Sequence, residues 1–195
     1  LGARVGYVTR LGNDAFGRMF ADLWAREGVD ASGVALDAEA PTGVYFVTHG
    51  PAGHEFSYLR AGSAASRMRP DQLPEAVLAS ARLVHASGIS QAISASACDT
   101  VFAAFESARE RGAIVSYDPN VRRKLWPLAR ARAVVMATIA MCTWCLPSED
   151  DATILFPDAP PDAVIDALHR AGAREFDRVA AALQGRVGPD AVEVF

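Results

Sequence analysis

Short apolar runs and longer stretches with apolar residues every three or four positions alternate along most of this chain, a rhythm that predicts strands and helices in turn. Val5-Gly6-Tyr7-Val8-Thr9 reads as a first strand. Gly12-Asn13-Asp14 supplies a turn and a helix cap, after which Phe16, Met19, Phe20, Leu23 and Trp24 recur at helical spacing up to a stop at Gly28. A short strand is expected around Val34-Leu36. Pro41-Thr42-Gly43 then opens Val44-Tyr45-Phe46-Val47-Thr48, and Gly50-Pro51-Ala52-Gly53 turns the chain back through Glu55 to Arg60, which predicts a β-hairpin. Beyond it the pattern predicts a helix from about Asp71, strand Leu83-Ala86, helix Ser94-Arg111, strand Ile114-Tyr117, a helix near Arg130 to Ala140 and strand Cys145-Leu146. Ser148 and Asp151 have the spacing of a capping box, and Pro160-Pro161-Asp162 opens a further helix closed by Gly172. From Arg174 onward the alanine-rich pattern fits helix and strand equally. Such alternation implies an α/β fold, a mostly parallel sheet with helices on both faces.

At 195 residues and 51% hydrophobic content the chain can bury a sizeable core. The apolar stretch from Ala131 to Cys145 is interrupted by arginine, threonine and tryptophan, so no membrane span or signal peptide is predicted. A formal charge of −4, with no basic run longer than Arg122-Arg123-Lys124, argues against general nucleic-acid binding. Three cysteines, Cys98, Cys142 and Cys145, cannot all pair, which points to a cytoplasmic protein. Cys142 and Cys145 have CxxC spacing, but no second pair or matching histidine follows, so no metal site is expected there. His49 and His54 flank the hairpin turn and are expected to be solvent-exposed turn residues. Leu1-Gly2-Ala3-Arg4 enters a strand almost at once without an initiating methionine, and a piece of a longer gene product is expected.

The chemistry concentrates at Ser116-Tyr117-Asp118-Pro119-Asn120-Val121-Arg122, where an apolar strand runs into an acid, a proline, an amide and an arginine. In open parallel sheets ligands sit beyond the carboxyl ends of strands, so Asp118, Asn120 and Arg122 are expected to face a crevice. Asp118 capping an ordinary turn over a buried Trp126 is the structural alternative. In the hairpin, alternation puts Tyr58 and Arg60 on one face. No G-x-G-x-x-G or G-x-x-x-x-G-K-[ST] follows any strand, which leaves out a dinucleotide fingerprint and a Walker loop.

Asp118-x-Asn120-x-Arg122 with Leu125-Trp126 resembles the D-x-N-x-R…LW segment of the ribokinase-like (PfkB) carbohydrate kinases, most closely the 2-keto-3-deoxygluconate kinase branch. Gly12-Asn13-Asp14-Ala15-Phe16-Gly17 followed by Gly28-Val29-Asp30 is similar to that family's G-x-D-x-F-G…GVD segment, and the matches run in order to about Ala171. Arg178 to Val194, with Arg186-Val187-Gly188-Pro189-Asp190-Ala191, resembles a degenerate form of the family's next strands and K-x-G-x-x-G turn.

The resemblance implies a ribokinase-like sandwich spanning residues 1–195, incomplete at both ends, with an inserted β-lid at about residues 41–62. It implies a kinase that moves the ATP γ-phosphoryl group onto 2-keto-3-deoxygluconate, with ATP and Mg2+ as cofactors and a sugar acid as partner. Fructose or ribose as acceptor, or an inactive fragment that binds sugar acids, are the alternatives. Tyr45, Tyr58 and Arg60 stand at lid positions where that branch contacts substrate, and an arginine fork can meet a carboxylate in two parallel hydrogen bonds. Asp118, Asn120 and Arg122 would complete the substrate site. Asp151 takes the acidic position of the family's N-x-x-E magnesium and phosphate element, with Ser148 in place of asparagine; an ordinary helix cap is the alternative. The family's glycine-rich start and its G-A-G-D motif, which carries the catalytic base, would lie before Leu1 and beyond Phe195, so this chain alone is expected to be inactive. A homodimer through the lid is allowed by the resemblance.

Overall fold

The computed structural model describes residues 2–51, 53–172, 175–176 and 190–194. In chain order its regular elements are β1 (Arg4–Gly12), α1 (Ala15–Glu27), β2 (Asp30–Asp37), β3 (Val44–Gly50), β4 (Gly53–Leu59), α2 (Glu75–Ser80), β5 (Leu83–Ser87), α3 (Gly88–Ala92), α4 (Ala95–Glu110), β6 (Ile114–Asp118), α5 (Leu128–Ile139), β7 (Trp144–Cys145), α6 (Glu149–Leu155), α7 (Pro161–Ala171), β8 (Glu175–Phe176) and β9 (Asp190–Val194). Seven strands form one sheet in the order β2-β1-β9-β5-β6-β7-β8, every neighbouring pair parallel. β3 and β4 form a separate antiparallel hairpin, as the Gly50-to-Gly53 turn predicts.

A parallel sheet covered on both faces buries its strands on both sides, and β6 fits: Val115, Ser116 and Tyr117 are all buried, the Ser116 hydroxyl paired with His85 Nδ1. Helix α4 covers it with a stripe of Ala97, Cys98, Val101, Ala104, Phe105 and Ala108, spaced three and four residues apart. Phe105 meets Tyr117 edge-on, ring centres 6.2 Å apart. The ends are set by local chemistry. Asp14 accepts from the Gly17 N–H to start α1, Gly28 at φ 69° ends it, and Ser94 caps α4 through the Ala97 N–H.

The structure departs from the pattern in four places. The helix expected from Asp71 is a 3-10 turn, Pro70–Gln72, because Pro74 interrupts the ladder and only then does α2 begin. Five-residue α3, capped by Ser87, is too short to show a period. The apolar face of α1 is not all interior: Phe16, Met19 and Leu23 are 44%, 54% and 37% exposed. Strand β9, for which periodicity left helix and strand equally open and only the resemblance of Arg178 to Val194 suggested strands, lies between β1 and β5. The expectations for residues 178–189, including most of the Arg186-to-Ala191 turn, lie outside the described residues.

Candidate functional site

From β1 the chain winds outward to β2, and from β5 it winds the other way to β6, β7 and β8, so the sheet reverses direction between β1 and β5. Open α/β sheets hold ligands beyond strand ends at such a reversal. A cavity of about 250 Å³ is lined here by Tyr7, Thr9, Arg10 and Leu11 of β1, by Phe20 and Trp24 of α1, and by Ile89, Ser90 and Ile93 on and after α3. Thr42 to Tyr45, at the entry to the hairpin, and Arg60, Ser63 and Ala65, just past its exit, close the remaining wall.

Close backbone contact holds the hairpin to the sheet. The Gly12 N–H donates to Thr42 Oγ1 at 2.9 Å, and the Thr42 N–H donates to Asp14 Oδ2 at 2.7 Å, while Asp14 Oδ1 accepts from the Gly17 N–H at 2.8 Å. One carboxylate thus caps α1 and ties down the start of the hairpin, and these backbone donors, Thr42 first, hold its pKa below the ordinary carboxylate value. A side chain at Gly12 would put its Cβ 2.5 Å from the Thr42 nitrogen, so only glycine permits this approach.

Beside the cavity, Arg10 donates to Gln72 Oε1 and to Asp37 Oδ2, both at 2.9 Å, and Arg67 lies 3.3 Å from the same Asp37 carboxylate. Asp37 also takes the Glu39 and Ala40 N–H groups, and these, with the two arginines, lower its pKa to about 2.

Within the hairpin Tyr45 pairs across the strands with Tyr58, and the Arg60 guanidinium sits 5.9 Å from the Tyr45 ring centre and 4.7 Å from that of Tyr58. Cation–π contact of this kind steadies a guanidinium while leaving its N–H edge for a ligand. Tyr45 and Arg60 line the cavity; Tyr58 does not, and stands behind them against both.

The other expected residues gather at the end of β6, away from that lining. Asp118 accepts from the Asn120 N–H at 3.1 Å and from Asn120 Nδ2 at 3.2 Å, with Asn120 in the left-handed region at φ 37°. Asp151, 2% exposed, accepts from the Val121 N–H at 2.6 Å and from the Ser148 N–H at 3.0 Å, which completes the capping box of α6 and ties it to the β6 loop. Burial first, then the Asp151 charge, raises the Asp118 pKa. The Asn120 Oδ1 atom is buried without a partner. Arg122 is exposed and donates to the Val121 carbonyl. Trp126 is buried beneath the loop. The two groups meet at α3: a Cβ on Gly88 would lie 2.0 Å from the Pro119 carbonyl, while Ile89 and Ser90 face the cavity.

Cys98, Cys142 and Cys145 are buried and unpaired, and burial pushes the Cys145 thiol up to about 12. His49 faces His54 across the hairpin, and among the described residues no group of three or more His, Cys, Asp or Glu side chains could hold a metal. His85 Nδ1 pairs with Ser116 Oγ at 2.9 Å. Among the described residues no helix is long and apolar enough to cross a membrane. Sequence reasoning did not single out Thr9, Arg10, Ser63 or Ser90 as cavity residues; the signal at β1 was a threonine and an arginine in an otherwise apolar strand.

The profile of the pfkB family carbohydrate kinases matches residues 1–179. The 2-dehydro-3-deoxygluconokinase of Thermoproteus tenax is 38% identical over 166 residues, 83% of this chain and 50% of that protein. Fructokinase-1 of Zea mays is 40% identical over 129 residues, 65% of this chain and 39% of that protein. An E. coli protein called a ribokinase II, solved in complex with ATP and Mg2+, superposes with a TM-score of 0.82 at 26% identity, covering 90% of this chain and 56% of that one. This chain spans about half the length or less of the curated relatives it matches. By sequence profile and by its reversing parallel sheet, the chain belongs to the pfkB family of carbohydrate kinases, with a ribokinase-like fold.

Proposed function

We propose that this chain supplies the acceptor-binding part of an ATP-dependent carbohydrate kinase whose acceptor is 2-keto-3-deoxygluconate. The observation that carries the reading is Arg60 on the wall of a cavity of about 250 Å³, steadied by Tyr45 and Tyr58. A guanidinium in a largely apolar cavity favours an anionic ligand, and a sugar acid brings the carboxylate that a neutral hexose lacks. The hairpin of β3 and β4 acts as a lid over that ligand. The relative from Thermoproteus tenax supports the same acceptor, and the maize relative supports fructose as the second reading.

The end of β6 is proposed as the phosphate and magnesium side, with Arg122 as an outlying anion contact. Asp118, Asp151 and the unpartnered Asn120 Oδ1 are hard oxygen donors of the kind Mg2+ takes, mostly through its own waters. Bound there, Mg2+ would neutralise charge on ATP; Ser148 and Val121 fix the Asp151 carboxylate that faces it. No residue of this chain is assigned as the catalytic base. The outward face of the hairpin, with Phe46 52% and Leu59 65% exposed, is proposed to pack on a second copy. The cytoplasm is the proposed compartment, on the odd cysteine count.

The test is binding and turnover with 2-keto-3-deoxygluconate and with fructose in the whole enzyme that carries this sequence, before and after Arg60→Ala. The proposal expects the variant to lose about ten-fold or more on the acid and little on fructose, the size of one charge-assisted hydrogen bond. Equal losses on both sugars would refute the carboxylate assignment. Tight binding without turnover would instead mark a sugar-acid-binding protein.

A further inference from the structure

Ser90 is 2% exposed, lines the cavity, and its hydroxyl has no hydrogen-bond partner. Buried hydroxyls are almost always bonded, so an orphan on a cavity wall points to a group that arrives with a ligand. Its direction is not left to chance. The next residue, Gln91, is equally buried; its Oε1 accepts from Tyr117 Oη at 2.7 Å and its Nε2 donates to Thr138 Oγ1 at 2.9 Å. Ser87 caps the same short helix through the Ile89 N–H, and Gly88 packs on the Pro119 carbonyl too closely for any side chain. Helix α3 is therefore pinned at both ends against β6 and α5, which fixes the position of Ser90 on the cavity wall.

We propose that Ser90 is an acceptor-binding residue whose hydroxyl bonds a hydroxyl or carbonyl oxygen of the bound sugar. The proposal rests on the reading of this cavity as the acceptor site. A serine hydroxyl both donates and accepts, which suits a polyhydroxylated ligand, and it carries no charge with which to choose an acid over a neutral sugar. Arg60 and Ser90 thus divide the work: one reads the carboxylate, the other reads what both classes of sugar share.

The experiment is isothermal titration of the protein carrying this sequence, as wild type, Ser90→Ala and Arg60→Ala, with 2-keto-3-deoxygluconate and with fructose, alongside thermal melts without ligand. Ser90→Ala is expected to weaken both sugars by the same factor, about three- to ten-fold, the worth of one neutral hydrogen bond. Its melting temperature without ligand is expected to hold or rise, since the change removes an unpaired buried polar group. Unchanged affinity for both sugars overturns the proposal, as does a lost affinity that comes with a lowered melting temperature, which would make Ser90 a packing residue. Equal losses from Arg60→Ala would overturn the acid-sugar reading and leave the Ser90 result standing; a wild type that binds neither sugar would overturn both.

Discussion

At Asp37 one buried carboxylate takes the Glu39 and Ala40 N–H groups and the Arg10 and Arg67 guanidiniums, with a folded-state pKa of about 2 against an ordinary 3.8. A depressed carboxylate pKa means the folded state binds fewer protons than the unfolded chain. The stabilisation is therefore present above about pH 3.8 and is lost as pH falls through about 2. Asp37→Asn is expected to lower stability at pH 7 and to flatten its dependence between those limits, read from urea unfolding across pH. Because Arg10 lines the cavity, the same variant should also loosen ligand binding. Gly88→Ala is the steric counterpart: its Cβ would sit 2.0 Å from the Pro119 carbonyl, so α3 must shift, at a cost of about 1–3 kcal/mol of unfolding free energy measured in urea. Tyr45 and Arg60 could be picked from the sequence because they stand at lid positions in the family resemblance, to which alternation added only that Tyr58 and Arg60 share a face. Ser90 could not, since its meaning lies in having no partner, and partners are a property of the folded neighbourhood.

Elements with a capping residue and a clear period were legible: α4, α6 and α7 begin within a residue or two of where Ser94, Ser148 and Pro160 place them. Short α3 was not, because five residues give little more than one turn of period. The capping box of α6 also does more than the spacing revealed. Asp151 holds the Val121 N–H as well as the Ser148 N–H, so the helix start and the loop after β6 share one carboxylate. Asp151→Ala would leave both donors buried or poorly solvated, and is expected to cost about 2–4 kcal/mol by denaturant unfolding. If Asp151 also faces magnesium, the variant should raise the Mg2+ concentration needed for half-maximal turnover; Asp150→Ala, on the exposed side of the same helix, should do neither. The hairpin is the other element with a prediction of its own. Phe46→Asp adds charge to its outward face and is expected to shift the protein from dimer to monomer in sedimentation, with the proposed dimer refuted if wild type and variant sediment alike.

At the scale of the whole molecule, the α/β class was readable from the alternation of periods, but the order of strands was not, because parallel neighbours are joined by backbone groups that every residue carries. Strand β9 is the sharpest case. It lies outside residues 1–179, where the family profile matches, yet it pairs with β1 on one side and β5 on the other. Without it the sheet would consist of β2-β1 and β5-β6-β7-β8, two pieces meeting at the winding reversal where the cavity lies. Pairing Arg4 with Asp190 closes nearly the whole chain into one loop, so this strand should join late in folding and open early. Val192 stands opposite both Gly6 and Val84, at the middle of the join. Proline has no N–H to give the ladder and belongs only on sheet edges, so Val192→Pro is expected to destabilise the protein by about 1–3 kcal/mol. The measurement that decides is hydrogen exchange: amides of both β1 and β5 should lose protection together, and sugar affinity should fall with them. Faster exchange confined to residues 190–194, with β1, β5 and the cavity unchanged, would show that the two halves hold together without β9.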